Sequence, residues 1–434
     1  MRRKRGKRKE EVQAMVALSH RALGARKARM RVALALAATA VLLAASPALA
    51  QKKYDSGTSD TEIKIGQTMP YSGPASAFSI SARIASAYYK MLNDRGGING
   101  RKITMISMDD GYSPPKTVEQ TRRLVEQDEV LALFGSLGTP TNVAVRKYLN
   151  QKKVPQLLVA SSSSQWNSPQ EYPYSTSLFL SADQEAAAFA RYILATKPDA
   201  KIAVLYQNDD YGKDYLKAFQ GALGSKADSM IVKALSYLPT EPTVDQQMVA
   251  LKFSGADVFM NAASGKFGPM SIRKASELQW KPLQFVGSSN TSVKNVLEPV
   301  GLDNAKGIVS LAVYKDPSDP QTGNDKDVQA FFQFMKRNLP NEDAQDLSTV
   351  GGYVTGQLTA HILEHCGDDL TRDNVLKQAT NLNDPPIGML REGVSIGTSP
   401  NNYLPFNSAR FIRFDGARWI TFGEPVAMKD APSR

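Results

Sequence analysis

The stretch Leu131–Trp166, LALFGSLGTPTNVAVRKYLNQKKVPQLLVASSSSQW, constrains the fold more than any other part of the chain. An apolar run, Leu131–Phe134, ends at a glycine and a small polar loop, Gly135–Thr141. Val143, Val145, Tyr148 and Leu149 then recur at roughly helical spacing, and the break before Pro155 ends that pattern. A second apolar run, Val154–Val159, reaches a second small polar loop, Ala160–Ser164. This order of strand, loop, helix, strand and loop fits a parallel sheet whose short strands are buried on both faces. In such sheets the loops at the carboxyl ends of the strands line the ligand crevice. One Gly/Ser/Thr cluster is most simply a turn. Two of them in register across one helix offer backbone N–H groups and hydroxyls with little bulk, and that combination points to a site.

The same alternation extends in both directions. Glu62–Met69 reads as a strand that ends at Pro70-Tyr71-Ser72-Gly73-Pro74, and a helix follows from about Ser79 to Asn93. Lys102–Met108 is a strand and Pro114–Gln127 a helix that opens on prolines. From Asp183 the pattern begins again. Strands are expected at Lys201–Tyr206, Met230–Leu235, Asp257–Asn261, Leu283–Gly287 and Gly307–Val313. Helices fall between them, to about Thr196, at Tyr211–Leu223 and Val244–Phe253, and across Pro269–Leu278. Two similar runs of this kind imply an α/β architecture of two doubly wound lobes. After Tyr314 the chain turns mostly helical, at Asp325–Asn338, Leu347–Cys366 and Arg372–Ala379. It ends in a β-hairpin, Ala409–Phe414 with Ala417–Phe422, around Asp415-Gly416.

The formal charge of +11 invites a nucleic-acid reading that its distribution removes. Residues 1–50 hold twelve of the 53 Lys/Arg and two of the 42 Asp/Glu, which leaves 41 basic against 40 acidic residues from Gln51 onward. No electrostatic footprint for nucleic acid survives. Arg26, Lys27, Arg29 and Arg31 precede the apolar run Val32–Ala45 and then Ala48-Leu49-Ala50. That is the pattern of a secretory signal peptide with a basic N-terminal extension, cleaved after Ala50. The apolar run is short for a bilayer span. Cys366 is the only cysteine, so an intramolecular disulfide and an N-terminal lipid anchor after cleavage are both ruled out.

Catalytic signatures are mostly missing. There is no P-loop, no G-x-S-x-G elbow and no dinucleotide-binding glycine fingerprint. His361-Ile362-Leu363-Glu364-His365 matches the H-x-x-E-H pattern of some zinc proteases, which would make a metal-dependent hydrolase. A third ligand has no clear source downstream, and Leu358, Ile362 and Cys366 mark an ordinary amphipathic helix. No metal or other cofactor is expected. Tyr71, Phe78, Trp166 and Tyr211 are candidate site walls, each with core packing as the alternative. Asp209-Asp210 reads as a helix N-cap before Tyr211.

Taken in order, Ile63-Lys64-Ile65-Gly66, Tyr71-Ser72-Gly73-Pro74, Gly96-Gly97-Ile98-Asn99-Gly100, Asp109-Asp110, the two small polar loops and Asp210-Tyr211-Gly212 resemble the branched-chain amino-acid class of ABC-transporter solute-binding proteins. The likeness covers about residues 61–425. It implies a type I periplasmic binding fold, with two α/β lobes joined by a three-strand hinge and closing on a ligand. The crossovers are expected near Ser177–Asp183, Val309–Tyr314 and Leu390–Pro405. The chain then divides into a signal peptide (1–50), a flexible lead-in (51–60) and lobe 1 (61–180). Lobe 2 (184–308), a return to lobe 1 (314–390) and a C-terminal segment with its hairpin on lobe 2 (391–434) follow.

In that family the two loops of the first lobe hold the ligand carboxylate. The resemblance gives this role to Gly138, Thr139, Ser162 and Ser164, with Phe78 as a wall and Tyr211 from the second lobe. Its amino-acid binders hold the ligand ammonium with an acidic residue after a later strand, aided by a tyrosine. The corresponding places here are Ser289 and Ala263, so the counter-charge is missing. The expectation is a monomeric, non-enzymatic periplasmic receptor that serves an inner-membrane ABC permease. Its ligand would be a small carboxylate without an α-amino group, most simply an aromatic acid, with an amino acid as the family norm. A sensor of the same fold that signals to a regulatory partner is the alternative.

Overall fold

The computed structural model describes residues 12–15 and 52–428. The expected signal-peptide cleavage site and the apolar run before it therefore lie outside the described residues, and 12–15 is a helical segment. The lead-in is tied down rather than free. A two-residue strand, β1 (Lys53–Tyr54), pairs in parallel with Asp369–Leu370, and the Tyr54 hydroxyl donates to Asp60 at 2.6 Å.

The first lobe is a parallel sheet of five strands, β2 (Glu62–Met69), β3 (Lys102–Asp109), β4 (Ala132–Phe134), β5 (Gln156–Val159) and β6 (Ser175–Ser177). Their spatial order is β3-β2-β4-β5-β6. Helices α1 (Ile80–Asp94), α2 (Pro114–Glu126) and α3 (Thr139–Gln151) cover its faces. β4 and β5 are buried at every position, and all their residues but Gln156 are apolar.

The second lobe repeats the order. Strands β7 (Ile202–Gln207), β8 (Ile231–Tyr237), β9 (Val258–Ala262), β10 (Leu283–Val286) and β11 (Val309–Ala312) run as β8-β7-β9-β10-β11, all parallel. The hairpin β13 (Ser408–Phe414) and β14 (Trp419–Ala427) extends this sheet, with β13 antiparallel to β11; β12 is the Asp369–Leu370 strand. Helices α4 (Ala182–Thr196), α5 (Asp210–Leu223), α6 (Asp245–Lys252) and α7 (Phe267–Glu277) belong here, and α4 enters through a capping box of Ser181 and Gln184.

Three further helices return to the first lobe: α8 (Lys326–Asn338), α9 (Leu347–Cys366) and α10 (Arg372–Ala379). Tyr88 of α1 meets Phe334 and Tyr353 edge-on or tilted, and the Tyr89 hydroxyl donates to Thr359 at 3.0 Å. Gly356 lets α9 lie close to α1, since a Cβ there would sit 2.8 Å from the Tyr88 side chain. The chain thus passes between the sheets three times, after Ser177, after Ala312, and between Ala379 and Ser408.

Two features depart from the expected pattern. The short polar strand Ser175–Ser177 carries no apolar signal, and its place in the sheet comes from pairing with β5 alone. Between Ser288 and Ala305 the chain forms a series of short helical turns where the sequence shows no period.

Candidate functional site

Both sheets reverse strand order at one point, between β2 and β4 in the first lobe and between β7 and β9 in the second. Crevices at such points, beyond the carboxyl ends of the strands, are where open α/β sheets bind ligands. The two crevices face each other across one continuous cleft, in two parts.

The narrower part is bounded by the two small polar loops. Gly138 has φ +105° and caps α3 without any side-chain cap, so the helix presents its N-terminal end here. A Cβ at Gly138 would meet Thr141 Oγ1 at 2.5 Å and the Tyr112 ring at 2.7 Å, which is why glycine is required. The hydroxyls of Thr139 and Ser161 lie 2.6 Å apart, and Trp166 Nε1 donates to Ser161 Oγ at 2.7 Å. Ser162, Tyr211, Ser264 and Ser289 complete the polar lining. Tyr211 stands in the first turn of α5, behind the Asp209 N-cap, and lines this part together with Ser289. Burial and the nearby Glu185 carboxylate push the Tyr211 phenol well above its ordinary range, so it stays a neutral donor.

A hydrogen-bond relay fixes this end across the lobes. Gln207 Nε2 donates to Tyr112 of the first lobe at 3.3 Å and also bonds Asp209. Tyr237 donates to Gln207 Oε1 at 3.2 Å and accepts the Ser264 N–H at 2.8 Å.

The wider part runs from Phe78, Leu137, Ala160, Phe179 and Ser289, which both parts share, to the hinge and the first turns of α9. Among the described residues, no Asp, Glu, Lys, Arg or His lines either part.

Of the residues singled out from the sequence, Phe78, Gly138, Thr139, Ser162, Tyr211 and Ser289 come together in the narrow part. Ser164 and Ala263 lie outside its lining. Ser164 serves as a tether, its N–H donating to Asp214 at 2.6 Å and its Oγ accepting from the Asp183 N–H at 3.0 Å. Ala263 is 1% exposed and packs in the second lobe's core with Phe267, while its neighbour Ser264 faces the cleft. Trp166 is no wall either; it is buried and acts through Ser161. Tyr71 is exposed at the surface and bonded to Ser107. Tyr112, Ser161 and Phe179 were not foreseen. Only their places just beyond β3, β5 and β6 mark them, and a sequence pattern gives no cue to side-chain direction there.

His361 and His365 stack on the exposed side of α9 with ring centroids 4.0 Å apart, and His365 Nδ1 lies 2.8 Å from the His361 carbonyl oxygen. Among the described residues no group of three His, Cys, Asp or Glu side chains is placed to hold a metal ion.

Residues 62–399 match the family model for periplasmic binding proteins. The Leu/Ile/Val-binding protein homolog 7 of Brucella suis is 24% identical over 279 residues, 62% of this chain and 67% of that protein. Homolog 3 of Brucella melitensis is 25% identical over 310 residues, 70% of this chain and 80% of its own length. Among solved structures, a branched-chain amino acid ABC transporter protein of Thermus thermophilus with bound valine superposes with a TM-score of 0.76. It is 15% identical, over 85% of this chain and 97% of that one. A Rhodopseudomonas palustris solute-binding protein in complex with benzoate gives 0.69 at 18% identity, over 84% and 98%. At such identities these structures speak for the fold, not the ligand.

Proposed function

The chain belongs to the periplasmic binding protein family, and from that premise we propose that it captures a small carboxylate in the periplasm for an inner-membrane ABC permease. The ligand we infer lacks an α-amino group. One observation carries this: the described residues that line the cleft are all neutral, with anion-holding donors at one end and apolar walls beyond.

An anion needs no cation where an uncapped helix N-terminus and several hydroxyls converge. Thr139, Ser161, Ser162 and Tyr211 supply such hydroxyls around Gly138. An ammonium has no such alternative, because a buried cation without a counter-charge costs several kcal/mol even after relaxation. Ser289 offers only a hydroxyl and Ala263 is buried away. Phe78 and Phe179 give flat apolar surface suited to a ring. The family includes relatives solved with valine and with benzoate, and this lining favours the second kind.

Calorimetry on the purified protein tests the reading with benzoate, 3-phenylpropanoate and leucine. Aromatic acids should bind and leucine should not. Micromolar leucine binding with no heat from the acids would refute it.

A further inference from the structure

We propose that Gln184 is a positioning residue for the cleft: its side-chain amide ties together the three passages between the sheets, fixes the pivot on which the lobes turn, and so sets ligand affinity. The proposal needs the two-lobed receptor but not the identity of its ligand.

The first turn of α4 begins where the chain first leaves the first lobe, and each of its four residues grips a different part of the molecule. A helix leaves its first N–H groups without intrahelical partners. Here the first lobe supplies two of those partners. The Ala182 N–H donates to the Ser162 carbonyl oxygen at 2.6 Å, and the Asp183 N–H to Ser164 Oγ at 3.0 Å. Ser162 lines the narrow part of the cleft, so one loop of the ligand site also caps α4. Glu185 accepts the Ser288 N–H at 2.9 Å, in the loop that the second lobe brings to the cleft.

Gln184 stands between these contacts, 2% exposed and outside the lining of either part of the cleft. Its Oε1 accepts the Ser181 N–H at 3.0 Å, and its own N–H donates to Ser181 Oγ at 3.2 Å, which closes the capping box. A glutamate serves as well as a glutamine for that purpose, because only an acceptor is used. The amide nitrogen does more. It donates to the buried carbonyl oxygens of Phe406 at 3.2 Å and Met428 at 3.0 Å. Phe406 belongs to the third passage, and its ring meets Tyr314 of the second edge-on, centroids 5.9 Å apart at 79°. Met428 follows the hairpin, and its N–H donates to the Asn407 carbonyl oxygen at 2.9 Å. One buried amide thus holds all three passages against the turn that carries the Ser162 and Ser288 contacts. Removing the donor leaves two buried carbonyls short of a partner, which a buried site tolerates poorly.

The test compares wild type with Gln184→Glu and Gln184→Met, each checked by its melting temperature. Glutamate keeps the capping box; ionised, it cannot donate to the two carbonyls, and protonated it can. Methionine fills the space and does neither. Amide hydrogen exchange needs no ligand. In both variants, near pH 8, the peptide that holds Ser288 should exchange about tenfold faster, while β9 of the same lobe exchanges as in wild type. Calorimetry uses whichever of benzoate, 3-phenylpropanoate and leucine binds wild type most tightly. Both variants should bind that probe about tenfold more weakly at pH 8, and only Gln184→Glu should recover at pH 5.5. Each variant is compared with wild type at equal pH, because the adjacent Glu185 is itself ionisable. Unchanged Ser288 exchange or unchanged probe affinity in Gln184→Met overturns the proposal, as does a Gln184→Glu deficit that is the same at both pH values. If Gln184→Glu does not fold, Gln184→Met decides. If no probe binds wild type, the exchange result alone decides this inference, and the missing heat counts against the carboxylate reading instead.

Discussion

Glu185 Oε1 accepts the Ser288 N–H at 2.9 Å, which sets a buried carboxylate directly under the loop that carries Ser289. Its other oxygen accepts the Tyr215 hydroxyl at 2.8 Å, and no cation is among its partners in the described residues. Burial pushes the Glu185 pKa up, and the bonds from Ser288 and Tyr215 only partly restrain it. The folded state therefore holds this proton to higher pH than the unfolded chain does. The resulting stability is complete below the unfolded value, about 4.3, and is lost as pH rises through the raised folded value. Glu185→Gln removes the charge but keeps the shape. It should melt higher than wild type near pH 7, by about 2 °C or more, with the gap closing towards pH 4. Thermal scans from pH 4 to pH 8 check this, and a gap independent of pH counts against it.

At Gly138 the backbone and the space both forbid a side chain. The φ of +105° is costly for any residue with a Cβ, and that atom would collide with Thr141 and with the Tyr112 ring. Gly138→Ala should destabilise the protein by about 1–3 kcal/mol. It should also weaken any carboxylate ligand by displacing the N-terminus of α3. Denaturant titration reads the first effect and calorimetry the second. A variant as stable as wild type would show that the loop relaxes freely.

How far the sequence reveals this molecule follows from what each element depends on. β4 and β5 are legible because burial on both faces favours apolar residues, at every position but Gln156, and α9 because its length outlasts any alternative. Asp209 was legible as a cap for a local reason: its carboxylate accepts the N–H groups of Tyr211 and Gly212, two and three residues on. The Gly138-Thr139 and Ser162 loops announced themselves by composition. Ser164 shows the limit, since four serines in a row look alike until the fold sends Ser163 and Ser164 to Asp214 and leaves Ser162 on the cleft.

Introducing a charge should invert the selectivity of the cleft. Ser289 lines both of its parts, beside Tyr211 in the narrower one. Ser289→Glu would place a carboxylate where the inferred ligand brings its own. Benzoate-type acids should lose about tenfold or more in affinity, and α-amino acids should gain a counter-charge for their ammonium. Calorimetry against both classes decides it. Unchanged acid binding in the variant would mean that the ligand carboxylate lies away from Ser289.

The lobes are also clasped by a second set of bonds, and these should set how tightly a ligand is held. Ser292 Oγ of the second lobe donates to Asp346 Oδ1 at 2.8 Å, and Asn295 Nδ2 donates to Oδ2 at 2.5 Å. Asp346 is at the same time the N-cap of α9, so removing it would cost about 1 kcal/mol of helix stability as well. The informative change is on the other side, Asn295→Ala, because Ser292 also caps its own short helical turn through the Asn295 N–H. A hydrogen bond to a carboxylate contributes about 1.5–3 kcal/mol, and here it exists only when the lobes are together. The exposed Lys294–Asp343 pair, 2.7 Å apart, is screened by salt and adds little. Asn295→Ala should therefore shift the unliganded protein towards open forms and weaken ligand binding about tenfold, mainly through faster release. Small-angle scattering should show a larger radius of gyration than wild type without ligand, and an equal one at saturation. Equal radii in both states, with unchanged affinity, would mean that the contacts near Asp214 and Gln207 alone hold the lobes closed.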